Sequence, residues 1–205
     1  MRSTPDGTAR SVDGVRAGAA LLAAGQVDAA RVAWARAGPQ ADPLVAGLVG
    51  YAAAVADGGA RDWSRARARA TLGRRALGRV ADPSPIAVGP PRTYLGALAD
   101  DPAVVERRPP PAVRVEGAVP DPDALPFEAL ARAARAVAAT GALDSDVVDD
   151  AVRYAREEVA TGTSAFAALL TDVAAGRETA MATRRLDQRV ARRRSEERDV
   201  DGLFD

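Results

Sequence analysis

The chain has 205 residues, of which 49 are alanine; all 28 basic residues are arginine, and histidine, cysteine, lysine and asparagine are absent. Without imidazole or thiol there is no Ser/His or Cys/His nucleophile and no tetrahedral zinc site. Without lysine there is no Schiff base and no P-loop ammonium, so chemistry is left to Asp, Glu, Arg, Tyr, Ser and Thr. The 28 arginines meet 28 acids, which removes any overall field favouring nucleic acid or an anionic membrane, but residues 1–80 carry 12 Arg against 6 acids and residues 127–205 carry 12 against 15.

The first third reads as four helices punctuated by glycine. The first spans about 13–24, with Val15, Ala19 and Leu22 on one face, and stops at Gly25, a residue suited to a left-handed cap. The second, about 27–37, aligns Val27, Ala30, Trp34 and Ala37 before Gly38-Pro39. The third follows Asp42-Pro43, an N-cap and a first-turn proline, and its stripe is Leu44, Leu48, Tyr51 and Val55. Asp62 caps the fourth, whose stripe runs Trp63, Ala66, Ala70, Gly73, Leu77 and Val80. Two helical hairpins result. With only 15 Leu and one Ile among so many alanines, these helices must approach closely to bury much surface.

Residues 81–126 hold 11 of the 14 prolines and predict an extended strap with one short helix near 93–99. Helices return at about 126–140, 145–161, 164–175 and 178–198, the second capped by Asp144 or Ser145. The lone Ile86 and few aromatics argue against a sheet. The expected fold is all-α. It comprises a helical bundle over 10–80, a proline-rich strap over 81–126, C-terminal helices over 127–198 packed on or beside the bundle, and an acidic-hydrophobic tail over 199–205. The apolar run Val15 to Ala24 is too short to span a bilayer, and Asp6 and Asp13 spoil a signal peptide. A cytoplasmic location is expected, and zero cysteine fits a reducing compartment.

Three stretches of the bundle carry a family likeness. They are Gly25-Gln26-Val27-Asp28-Ala29-Ala30-Arg31-Val32-Ala33-Trp34-Ala35, Gly47-Leu48-Val49-Gly50-Tyr51-Ala52-Ala53-Ala54 and Arg61-Asp62-Trp63-Ser64-Arg65-Ala66. They resemble the all-helical domain-of-unknown-function family 309, whose second helix reads roughly G-x-Y-H-x-A-H-E-x-W-E, whose third reads G-L-I-Q-x-A-A-A and ends near a histidine, and whose fourth begins G-N-W-x-G-A. The packing residues match and the polar ones do not. Where the family pattern has two histidines this chain has Asp28 and Arg31, where it has two glutamates Val32 and Ala35, where it has glutamine Gly50, and where it has the later histidine Asp57. Later segments, among them Pro91-Arg92-Thr93-Tyr94-Leu95 and the end of the chain, look like the extended form of this family in halophilic archaea. The resemblance implies a fold and an inter-helix pocket whose polar cluster is dismantled here; the family has no assigned activity.

Four features are candidates for function. Asp28, Arg31 and Asp57, with Trp34 and Tyr51, are the ligand-pocket candidates, and their bland alternatives are a surface ion pair and core packing. Arg65, Arg69, Arg75 and Arg79 on the fourth helix, among further arginines, could follow a nucleic-acid backbone with salt-sensitive affinity. That reading needs an uncovered face, and acids of the last third paired with those arginines would remove it. Arg184, Arg185, Arg189, Arg192, Arg193 and Arg194 form a second cluster, read as a solvated helix face with Arg192–Glu196 and Arg193–Glu197 pairs. In the tail, Val200, Leu203 and Phe204 alternate with acids and could dock on a protein partner. The expected function is a non-catalytic helical scaffold that binds protein or ligand. No cofactor or metal is implied, no membrane partner is expected, and nucleic acid is the lesser expectation.

Overall fold

The structure, a computed structural model, describes residues 6–81, 84–160, 162–177 and 179–201. It is all-helical there, with α1 (Asp6–Ala23), α2 (Val27–Ala35), α3 (Pro43–Gly59), α4 (Trp63–Leu77), α5 (Gly89–Asp100), α6 (Val104–Arg107), α7 (Phe127–Ala138), α8 (Ser145–Val159), α9 (Ala165–Ala175) and α10 (Thr179–Asp201). No strand forms among the described residues; Ile86, Val115 and Ala118 make only isolated bridges.

Local signals place the helix starts. The Asp42 side chain accepts hydrogen bonds from the Leu44 and Val45 amides at 2.8 and 3.2 Å, with Pro43 opening the first turn of α3. Asp62 accepts from the Arg65 amide, Asp144 from that of Asp146 and Ser164 from that of Ala167. After α1, Gly25 takes φ +79°, which L side chains rarely adopt.

The two hairpins α1/α2 and α3/α4 stand side by side, and α5 lies along α4. Glycines set the separation of α3 from α4. A β-carbon on Gly47 would stand 2.3 Å from Leu77 Cδ2, and one on Gly50 would stand 2.9 Å from the Gly73 backbone. With alanine filling most other contacts, this proximity is what brings Leu48, Tyr51, Leu77 and Leu95 out of water.

Helix α7 packs on α1 and α2, and α9 on α1, so one continuous apolar core runs from Val15 to Val190. Gln26, in the α1–α2 turn, donates to the Val173 and Ala174 carbonyls at 3.0 and 2.7 Å and so caps the end of α9. Helix α10 contributes Ala182, Leu186 and Val190 at four-residue steps against α8 and α9.

Several sequence expectations are corrected. The helix expected near 93–99 is present but longer, Gly89–Asp100, because Pro90 and Pro91 fall in the first turn of α5, where backbone amides have no helical acceptor. The short α6 was not expected, and α1 starts at Asp6 instead of near 13. Regular α-helix is absent from 108–126, the piece 109–114 included. That piece is held by Tyr51, whose hydroxyl donates to the Pro111 carbonyl at 2.7 Å, and by Tyr94, which donates to the Arg108 carbonyl at 2.9 Å. Trp63 is not a core residue but 36% exposed. Helix α5 ends opposite Arg67, which donates to the Ala99 and Asp100 carbonyls, and Trp63 lies one turn past that cover.

Candidate functional site

The five pocket candidates do not surround one cleft. Asp28 and Arg31 lie exposed on the outer side of α2, 3.7 Å apart at their nearest charged atoms. Such a pair contributes about 0.2 to 0.5 kcal/mol. Trp34 is fully buried, its Nε1 donating to the Val15 carbonyl at 3.1 Å and its ring lying over Gly18. Tyr51 is fully buried too, edge-on to Tyr94 with ring centroids 6.1 Å apart. Burial raises the hydroxyl pKa of both tyrosines. Asp57, half-buried near the end of α3, accepts from the Asp62 amide through its carbonyl. Position 50, glutamine in the family pattern, faces the backbone of α4 and has room only for hydrogen.

Helix α4 carries the most uneven charge on the surface. Its fifteen residues include no acid. Arg65, Arg69, Leu72 and Arg75 follow one another at steps of four, three and three, which places them on one stripe, whereas Arg79, expected on the same helix, stands two residues past its end at Leu77, because Gly78 closes α4. All are exposed, Leu72 by 60%. Arg65 lies 3.7 Å from its own cap residue Asp62, and among the described residues no carboxylate pairs with Arg69, Arg75 or Arg79. Arg67 and Arg74 sit on the other flank, toward α5, where Arg74 and Arg92 line a cleft of about 330 Å³.

The acids of the last third meet partners of their own. Asp149 pairs with Arg135 at 2.6 Å, Glu128 with Arg156 at 2.7 Å, Asp172 with Arg177 at 3.6 Å, and Asp150 with Arg153 and Arg194. None reaches α4. Arg16 on α1 and Arg61, just before α4, pair with Glu116 at 2.7 Å and Glu106 at 2.9 Å and so anchor the strap.

On α10 the expected Arg193–Glu197 pair gives way to a contact across helices. Glu197 receives Arg153 at 3.0 and 3.2 Å and the Tyr154 hydroxyl at 2.7 Å, while Arg193 turns to Glu196 at 3.6 Å. These bonds, that from Arg153 foremost, hold the Glu197 carboxyl below its usual range. The sequence signal was ambiguous because Glu196 and Glu197 both lie within one turn of the same arginines. Helix α10 continues to Asp201, past the expected end at Arg198. Leu203, Phe204 and the side chain of Val200, the docking candidates of the tail, lie outside the described residues.

Two further clefts were not expected from the sequence, although the second is lined by Arg185, Arg189 and Arg192 of the α10 cluster, read there as a solvated face. One of about 470 Å³ lies where Ala24, Val119, Pro122 and Arg177 meet. The other, about 410 Å³, lies between α9 and α10 and is lined by Ala165, Ala168, Leu169, Arg185, Gln188, Arg189 and Arg192. Its signal was available, since 185, 188, 189 and 192 follow the one-face spacing of a helix. No group of His, Cys, Asp and Glu placed to hold a metal ion occurs among the described residues, and no described helix is long and apolar enough to cross a membrane. No protein-family model, curated protein or solved structure matches the chain.

Proposed function

We propose that this chain is a non-catalytic helical scaffold that binds an acidic protein segment on the outer face of α4. The observation that carries the reading is Leu72, 60% exposed amid Arg65, Arg69, Arg75 and Arg79. A large apolar side chain on a solvent face is unremarkable singly, but set among arginines of which only Arg65 meets a carboxylate among the described residues, Asp62 at 3.7 Å, it has the layout of an interface: an apolar centre, a charged rim and arginine as anchor. The matching partner presents an apolar residue flanked by Asp or Glu. The filled interior around Trp34 and Tyr51 supports binding at a surface over chemistry in an inter-helix pocket.

A second reading is nucleic-acid binding through the same arginines, supported by their exposure and by the lack of ion pairs to acids of the last third among the described residues. It makes Leu72 incidental. Photo-crosslinking from position 72 in the native cytoplasm, identification of the product, and titration with the purified partner test the two together. The protein reading expects binding to weaken on the order of tenfold both in Leu72→Ala and in the Arg69→Gln, Arg75→Gln double variant. Binding of an oligonucleotide that falls with salt and is unchanged by Leu72→Ala would replace it with the second reading. A purified partner indifferent to both variants would remove both.

A further inference from the structure

We infer that the cleft between α9 and α10 is a binding site for a small amphipathic anion, an aliphatic chain ending in a carboxylate or phosphate. The site is separate from the α4 face. Its floor is apolar, made by Ala165, Ala168 and the half-buried Leu169 on α9. Its wall is one face of α10, on which Arg185, Gln188, Arg189 and Arg192 all present donors.

Three features point to an anion. Among the described residues no carboxylate lines the cleft. Arg189 is set over the Phe166 ring, 5.1 Å from its centroid, and its Nε is buried with no hydrogen-bond partner. A buried guanidinium donor left unpaired costs free energy, and the same side chain lines the cleft, where an acceptor can meet the guanidinium. Arg185 pairs with no carboxylate among the described residues, although Asp172 lines the adjoining cleft with it and pairs instead with Arg177 at 3.6 Å. Arg192 has Glu196 at 3.8 Å, a long contact that leaves its other nitrogens available.

Size and lining select the rest of the ligand. From Arg185 to Arg192 the helix rises about 10 Å, roughly two turns, which suits a short chain molecule better than a docked helix. The cleft volume of about 410 Å³ lies within the range of small-molecule sites. An anionic head placed at Arg185 and Arg189 can take charge-assisted hydrogen bonds while its chain covers Leu169, Ala165 and Ala168. An inorganic anion would leave that floor wet, and a neutral chain would leave the guanidinium donors unpaired.

The test is calorimetric titration of the full chain with decanoate, decyl phosphate, decanol and acetate, the long chains kept below their micelle concentrations. One saturable site for decanoate or decyl phosphate is expected, and the tighter of the two identifies the head group. Decanol and acetate should bind on the order of tenfold more weakly or not at all. Arg185→Gln, at an exposed position where folding is not at stake, should weaken the anion on the order of tenfold, as should Arg189→Gln, with helical circular dichroism retained. The Arg69→Gln, Arg75→Gln double variant on α4 should leave the affinity unchanged. Equal affinity for decanol and decanoate, binding indifferent to Arg185→Gln, or no saturable binding by either anionic chain overturns the site.

Discussion

Gly50 and Gly73 meet backbone to backbone: a β-carbon built on Gly50 would lie 2.9 Å from the Gly73 Cα, and one on Gly73 would lie 3.2 Å from the Gly50 carbonyl carbon. The α3/α4 hairpin is closed by this contact, because the atoms in the way belong to the main chain and no side-chain rotation can relieve a clash. Gly50→Ala is expected to destabilise the fold by about 1 to 3 kcal/mol, read from the urea midpoint at constant slope. Gly59→Ala is the control: a β-carbon there meets nothing within 4 Å, so the loss should be much smaller.

The two tryptophans should report opposite environments. Trp34 is fully buried and hydrogen-bonded to Val15, whereas Trp63 is 36% exposed. Acrylamide should quench one component of the fluorescence and spare the other. Trp63→Phe should remove the quenchable component and leave a blue-shifted emission, at a stability change within about 0.5 kcal/mol typical of a surface position. Gly18→Ala should disturb the remaining component, since its β-carbon would come 2.4 Å from the Trp34 Nε1.

Glu197 makes acid stability of the last third measurable. Its carboxyl is held below the ordinary 4.5 by hydrogen bonds from Arg153 and then Tyr154. A depressed folded-state pKa contributes stability that is present above the unfolded value and lost as pH falls through the folded one. The difference in urea midpoint between the natural chain and Glu197→Gln should therefore be largest near neutrality and shrink as pH falls below about 4.3. Tyr154→Phe removes the buried donor and should cost roughly 1.5 kcal/mol near neutral pH.

Tyrosine ionisation should follow unfolding. The pKa values of Tyr51 and Tyr94 are raised above the ordinary 10.0 by burial, and that of Tyr154 by burial and by its bond to Glu197. Raised folded-state values contribute stability that is complete below the unfolded pKa and lost as pH rises through the folded one. The tyrosinate absorbance step should therefore be missing near pH 10 and appear together with loss of helical signal. Tyr51→Phe should cost about 0.5 to 1.5 kcal/mol and speed proteolysis around Pro111, which its hydroxyl holds.

The outer arginines of α4 should be dispensable for folding. Arg69→Gln and Arg75→Gln remove charges that pair with no carboxylate among the described residues, so stability should stay within about 0.5 kcal/mol while partner affinity falls. A midpoint shift well beyond that would place these side chains in the architecture and not in recognition.

By itself the sequence determined most of the helices, though not α6 or the early start of α1, since a helix is largely a local matter of spacing, caps and breakers: Asp42, Asp62 and Ser164 at the starts and Gly25 in the left-handed region can be read within a few residues of where they act. It also determined that the helices must approach closely, because alanine and glycine leave no other way to exclude water. Only the tertiary structure decided who pairs with whom. With 28 arginines and 28 acids, most charges have several partners in sequence reach, and a step of three or four on a helix does not tell Glu197 to leave Arg193 for Arg153 and Tyr154. The length of the strap helix was decided in the same way: proline forbids the middle of a helix but not its first turn, so α5 starts at Gly89 and not near 93, and it gains its stability from Tyr94, Leu95 and Leu98 buried against the bundle. The bare stripe on α4 and the cleft over Leu169 follow likewise from what the fold leaves uncovered, which depends on how neighbouring helices pack.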